Sequence, residues 1–245
     1  MCSVVHRSRE CRDRVRVRVD RASDRARTPW KNGLGWMYDI ASGPSPGCSS
    51  SSSDDWTWKL STADISRDVP FSSFPNTTRK FCVADGVGVV LTINGVDVVC
   101  EPLSITTFRG DDVVFAKLID GPLRVLNLIV KDINTSVMDI HFSVQKNFGP
   151  LRLAECCNES DACINTRFIA TAIGGDAELS HLSGFNVKFG TLDSLIMTGE
   201  EGLGNAIERN MNTMEECLYS LESGIVALLS IGGLHRKMEA RMSRL

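Results

Sequence analysis

Polar residues interrupt otherwise apolar, strand-like runs at a few positions. Lys59 and Ser61 stand in Trp58-Lys59-Leu60-Ser61-Thr62-Ala63-Asp64-Ile65, Arg79 follows Pro70-Phe71-Ser72-Ser73-Phe74-Pro75, and Asn127 sits in Leu126-Asn127-Leu128-Ile129. Side chains of a strand alternate between faces, so Lys59, Ser61 and Ala63 share one side and Trp58, Leu60, Thr62 and Asp64 the other. With the small residues Ser61 and Ala63 turned to a lumen, Lys59 falls near its rim. Arg79 opens the strand after a turn pinned by Pro and Phe, where a guanidinium takes a carboxylate bidentately. A buried amide such as Asn127 needs a partner. Together these groups would line a pocket for something small and negative. Each also has a structural reading: a rim lysine, as surface lysines usually are, an arginine paired with Asp64, and an asparagine capping backbone.

Other chemistry finds less material. The chain has only His6, His141, His181 and His235, with none between residues 14 and 132 and no His-x-His pair. A histidine-based metal site in that stretch is excluded, and His141 and His181 fall on different strands. The nine cysteines are scattered without a Cys-x-x-Cys pair, and Cys156, Cys157 and Cys163 have no histidine at zinc-site spacing. They read as free thiols of a reducing compartment. Ser61 and Cys82 have no neighbouring histidine in sequence to activate them. Thr28-Pro29-Trp30-Lys31-Asn32-Gly33-Leu34-Gly35 is rich in glycine, but no Lys-Ser pair or helix pattern follows, so it is not a phosphate loop. No cofactor is expected.

These residues must be positioned by strands. Short alternating runs follow one another from Trp56 to Val130, and again from Asp139 to Ile231, separated by turn signals such as Asn94-Gly95. Evenly spaced strands without helix patterns indicate antiparallel sandwiches or barrels. Residues 1–13 read as a tail, 14–132 as a first β unit, and 133–245 as a second with a short helix over Gly232 to Leu245. Arg14-Val15-Arg16-Val17-Arg18-Val19 reads as an edge strand with valines inward and arginines outward. The serine-rich stretch from Ser42 to Asp54 is a loop inserted in a hairpin. A net charge of -3 gives no overall attraction to nucleic acid or anionic membrane. No apolar run is long enough to span a bilayer. The Arg-rich start lacks a secretory core and carries Glu10, Asp13, Asp20 and Asp24, which places the protein in the cytoplasm.

The order Trp30-Lys31-Asn32-Gly33-Leu34-Gly35, Trp58 to Ile65, Pro70 to Arg79, then Gly121-Pro122-Leu123-Arg124-Val125-Leu126-Asn127-Leu128-Ile129 resembles the HutD/Ves family. The likeness is close over residues 14–132 and follows only the strand plan beyond. It implies an all-β fold with few helices, built from two tandem cupin-like antiparallel β-barrels. It also implies a role in histidine utilisation through binding a small acidic metabolite, without agreed catalytic residues. Trp30 and Asn32 of the first motif thereby join Lys59, Ser61, Arg79 and Asn127 as candidate ligand-binding residues. Departures from the family pattern include Leu34, Val69, Asn76 and Val125, so a shared ligand does not follow from the motifs. The chain reads as a binding protein. An isomerase or lyase using a carboxylate in the barrel, and a scaffold with a filled lumen, are the rivals. Exposed barrel edges of this kind often pair, so a homodimer is expected.

Overall fold

A computed structural model describes residues 15–43, 56–132, 138–150, 164–181, 184, 186–199 and 219–233. The first strands in chain order are β1 (Val15–Asp20), β2 (Arg27–Pro29), β3 (Trp36–Gly43), β4 (Trp58–Ile65), β5 (Val69–Pro70) and β6 (Thr77–Asp85). Then come β7 (Val89–Ile93), β8 (Val96–Cys100), β9 (Ile105–Arg109), β10 (Val114–Leu118) and β11 (Leu123–Lys131). The later part gives β12 (Met138–Gln145), β13 (Gly149–Pro150), β14 (Ile164–Ala172), β15 (Ala177–His181), β16 (Asn186–Phe189), β17 (Ser194–Gly199), β18 (Tyr219–Ser223) and β19 (Val226–Gly233). The fold is all-β and cupin-like, as expected. Asn94 and Gly95 both take positive φ, 50° and 84°, the pair that a type I′ hairpin turn requires. The expected tail, the body of the serine-rich loop, the Cys156-Cys157-Cys163 cluster and residues 234–245 of the expected helix lie outside the described residues. Gly232 and Gly233, which began that helix, end β19 instead.

One strand plan occurs twice. The order β4-β11-β6-β9 of one sheet is matched by β12-β19-β14-β17 of another, and β5-β10-β7-β8 by β13-β18-β15-β16. Each unit is thus a pair of antiparallel sheets around its own lumen. The additions differ: β3 and β2 extend the first unit beyond β4, whereas β1 extends the second beyond β17. The sequence grouped Arg14 to Val19 with the first unit, yet β1 is hydrogen-bonded into the second, pairing Val15 with Gly199 through Asp20 with Ser194. Polar clasps hold it there. Arg25 Nε meets Asp20 at 2.7 Å and its Nη2 donates to Ser194 Oγ at 3.0 Å. Asp193 accepts from Arg21 Nη1 and from the Ala22 N–H, both at 2.7 Å. Arg18 faces solvent and Val19 packs on the second unit's core, while Val17, two residues before it, is 44% exposed, so the expected inward face of valines holds only at the Val19 end.

Alternation assigns each face of the large sheets. On β4 and β11, Trp58, Leu60, Leu126 and Leu128 point away from the first lumen and pack on Phe142, Ile169, Leu229 and Ile231 of the second unit. The two large sheets therefore lie back to back across one apolar layer, which also buries the Cys82 thiol. The opposite face of the first sheet, with Ala63, Ile65, Phe81, Val83 and Val125, closes on Val89, Leu91, Val114 and Ala116. The second lumen is filled by Phe168, Leu179, Phe189, Leu195, Met197 and Leu221.

Candidate functional site

The first lumen is not filled at one end. A cavity of about 40 Å³ opens there, walled by Ser61, Ala63 and Ile65 of β4, Val125, Asn127 and Ile129 of β11, and Arg79 and Phe81 of β6. Phe71, Ser72 and Phe74 of the turn before β6, with Trp30, Lys31 and Met37, complete it. Register explains the grouping. Asn127 lies opposite Ser61 on one side and Phe81 on the other, and Ile129 lies between Lys59 and Arg79. Residues directly opposite across a sheet share a face.

Arg79 is 6% exposed. Its Nη1 donates to the Ser72 carbonyl at 3.2 Å, and its guanidinium carbon lies 5.1 Å from the ring centres of Phe71 and Phe108 and 5.6 Å from that of Phe74. The rings offer cation–π attraction but no countercharge. Among the described residues no ion pair reaches Arg79, and its Nε is buried without a hydrogen-bond partner. Burial pushes its pKa down to about 10, so it remains a cation at neutral pH. Asn127 Oδ1 is likewise buried and unpartnered. A buried donor and a buried acceptor are thus left unpartnered on two residues that line one small cavity.

Loops fix the mouth. Trp30 packs edge-on against Phe71 with ring centres 6.4 Å apart, and its Nε1 donates to the Trp36 carbonyl at 2.7 Å. A Cβ on Gly35 would lie 2.7 Å from the Trp30 ring, so glycine is what lets the indole close over the turn. Asn32 Nδ2 donates to the Pro70 carbonyl at 3.0 Å, and its Oδ1 accepts from the Leu34 N–H at 3.1 Å. The Phe74 N–H donates to the Gly110 carbonyl at 2.7 Å, and a Cβ at Gly110 would fall 2.1 Å from the Phe74 carbonyl oxygen. Asn76, where the family pattern has glycine, takes φ 58°, a region that asparagine tolerates.

Of the sequence candidates, Trp30, Ser61, Arg79 and Asn127 meet at this cavity, and two do not. Lys59 shares the face of Ser61 but is drawn to Asp39, with Nζ 3.0 Å from Oδ2. Asn32 ties the loop at 30–35 to Pro70 and does not line the cavity. The structural pairing of Arg79 with Asp64 is not formed: Asp64 lies 3.5 Å from Arg124 Nε and accepts from Tyr38. Sequence reasoning missed Lys31, whose Nζ sits 5.6 Å from the Phe74 ring at the mouth. Its neighbour Trp30 was the available signal. The Cys82 thiol, pushed up to about 12 chiefly by burial, faces the layer between units and not the cavity. His141 lies on β12 and His181 on β15, in different sheets, and each has a partner.

Known proteins resemble the chain at several levels. The sequence profile of the HutD family matches residues 22–210. An uncharacterised 21.2 kDa protein in the hutC 3′ region of Pseudomonas putida is 36% identical over 110 residues, 44% of this chain and 55% of that protein. Protein Ves of Citrobacter koseri is 30% identical over 104 residues, 42% of this chain and 51% of that protein. The chain spans about half the length of these curated relatives. Among solved structures, HutD from Pseudomonas fluorescens SBW25, in a formate condition, has a TM-score of 0.62 at 24% identity, over 89% of this chain and 99% of that one. A conserved protein of unknown function from Pseudomonas aeruginosa PAO1 has a TM-score of 0.60 at 22% identity, over 89% and 98%. Identities this low speak for the fold alone.

Proposed function

Since this chain belongs to the HutD family, we propose that it is a cytoplasmic protein whose first barrel binds a small carboxylate metabolite without a metal, as a regulator of histidine catabolism. The observation that carries this reading is the pair of unpartnered buried atoms, Arg79 Nε and Asn127 Oδ1, on residues that line one cavity. A buried guanidinium without a counter-ion is costly, and a carboxylate seated against it restores both charge balance and hydrogen bonds. The cavity's 40 Å³ is room for roughly three waters. That admits an acid group and leaves the rest of the ligand toward Trp30 and Lys31. Asn127 Oδ1 accepts, so the ligand carries an N–H or O–H close to its carboxylate.

The lining contains no His, Cys, Asp or Glu. Among the described residues that line the cavity there is neither a metal ligand of those types nor the carboxylate base that the isomerase or lyase reading calls for; its titratable groups are Lys31 and Arg79. Thermal-shift measurement with the acids of histidine breakdown, formate, and methyl esters as uncharged controls tests the proposal. The acids raise the melting temperature of the native chain and the esters do not, because only a ligand of the folded state stabilises it. No shift with any acid at millimolar concentration removes the metabolite reading.

A further inference from the structure

The repeated strand plan leaves one edge unequally treated. In the second unit, β1 adds antiparallel to β17, and Val19 packs on that unit's lumen core. The strand in the place of β17 in the first unit is β9, the last in its sheet, and no described strand adds to its outer side. The Gly110 N–H donates to the Thr77 carbonyl at 2.7 Å. Even-numbered residues of β9 therefore turn their backbone groups toward β6, and Ile105, Thr107 and Arg109 turn theirs outward. Arg109 is closed off locally, its N–H donating to Asp112 Oδ2 at 2.7 Å and its carbonyl accepting from the Asp112 N–H at 3.3 Å. Ile105 and Thr107 have no such closure among the described residues.

Beside this edge runs an open groove of about 460 Å³, walled by Ile93, Val96, Val98 and Phe108 and rimmed by Arg109 and Asp112. Val96 is 66% exposed although it lies on the inward-facing side of β8. At one end of the groove Arg109 is met by Asp132 at 2.6 Å and Asp111 at 3.6 Å and its N–H by Asp112, so carboxylates outnumber it there, while Lys80 of β6 stands opposite Thr107. Apolar floor, open backbone edge and negative end occur together.

We propose that this edge docks an extended segment of a partner protein in which β-branched residues alternate with basic ones. The segment adds antiparallel to β9 as β1 adds to β17. Its apolar side chains enter the groove and its cations meet the acidic end, a strand-addition mode in which backbone bonds give affinity and alternate side chains give specificity. The occupant's chemistry is read from β1 itself, Val15-Arg16-Val17-Arg18-Val19, which occupies the equivalent edge, and from the charge of that end.

The probe is a fluorescein-labelled peptide with the sequence of residues 14–21, titrated into the full chain and followed by anisotropy. Saturable binding is expected, weaker by about tenfold in Thr107→Pro, which removes an outward N–H where an edge strand tolerates proline. Val96→Lys, at an exposed position, is expected to weaken it similarly and keeps the test decisive if the proline variant misfolds. A peptide of the same composition with the valines and arginines in separate blocks is expected not to bind. Absence of saturation at millimolar protein, equal binding of the block peptide, or binding untouched by both variants overturns the proposal. So does sedimentation showing that the native chain is a dimer that either variant splits, because a second copy then holds the edge.

Discussion

In the second barrel the lumen-facing residues of β14 are Phe168, Ala170 and Ala172, and Leu195 and Leu221 complete a closed apolar interior. Ser230, buried on β19, has a partner. In the first barrel the corresponding face of β6 carries Arg79, Phe81 and Val83, and β11 sets Asn127 among Val125 and Ile129. The same ladder of strands supports a packed core in one case and an uncompensated cation beside an empty space in the other. Packing the second interior gains stability, while the first forgoes it around Arg79 and Asn127. Buried ionic groups are seldom kept for stability alone, since apolar residues of similar volume serve as well or better.

Substitutions at the two interiors should therefore behave in opposite ways. The largest effect is expected from Leu195→Ala, which empties space at a fully buried position and should cost about 2–5 kcal/mol, read by urea unfolding. Arg79→Leu should abolish the carboxylate-induced thermal shift, with affinity down about a hundredfold. It should nevertheless leave the melting temperature of the free protein unchanged or higher. A variant that loses stability and keeps the shift would erase the contrast. Asn127→Leu should weaken binding by about tenfold and raise unliganded stability by about 1 kcal/mol, as an unpartnered buried acceptor is removed.

The smallest effect sharpens the picture of the β1 attachment. Burial raises the pKa of Asp193, but hydrogen bonds from the Ala22 N–H, Arg21 and the Gly190 N–H outweigh it, and the net shift is downward. A carboxylate depressed in the folded state contributes stability above its unfolded value and loses it as pH falls through the folded one. The melting gap between the native chain and Asp193→Asn should be full above about pH 4 and close below it. A gap constant down to pH 2 would mean that the carboxylate's charge plays no part in holding β1.

Alternation made much of this readable from sequence. Ser61, Arg79 and Asn127 were legible because a polar residue inside an apolar strand has few places to go. Parity gives the face and not the position along the barrel, which is why Lys59 shared the side of Ser61 but turned to Asp39. Motif position likewise said that Asn32 mattered without saying that its task is to tie Pro70. Lys31 had no signal beyond its neighbour Trp30, because a turn has no period from which to infer direction. The pairing of β1 with β17 was beyond local pattern altogether, since any edge with free backbone groups fits an alternating strand.

That pairing has a consequence for synthesis. Arg21 and Asp193 are 172 positions apart in the chain. At roughly 5–20 residues per second, β1 waits on the order of 10–40 s on the ribosome before its partner strand exists. Throughout that interval a valine-rich ribbon is available to chaperones or to neighbouring nascent chains, and its alternating arginines are what oppose clumping.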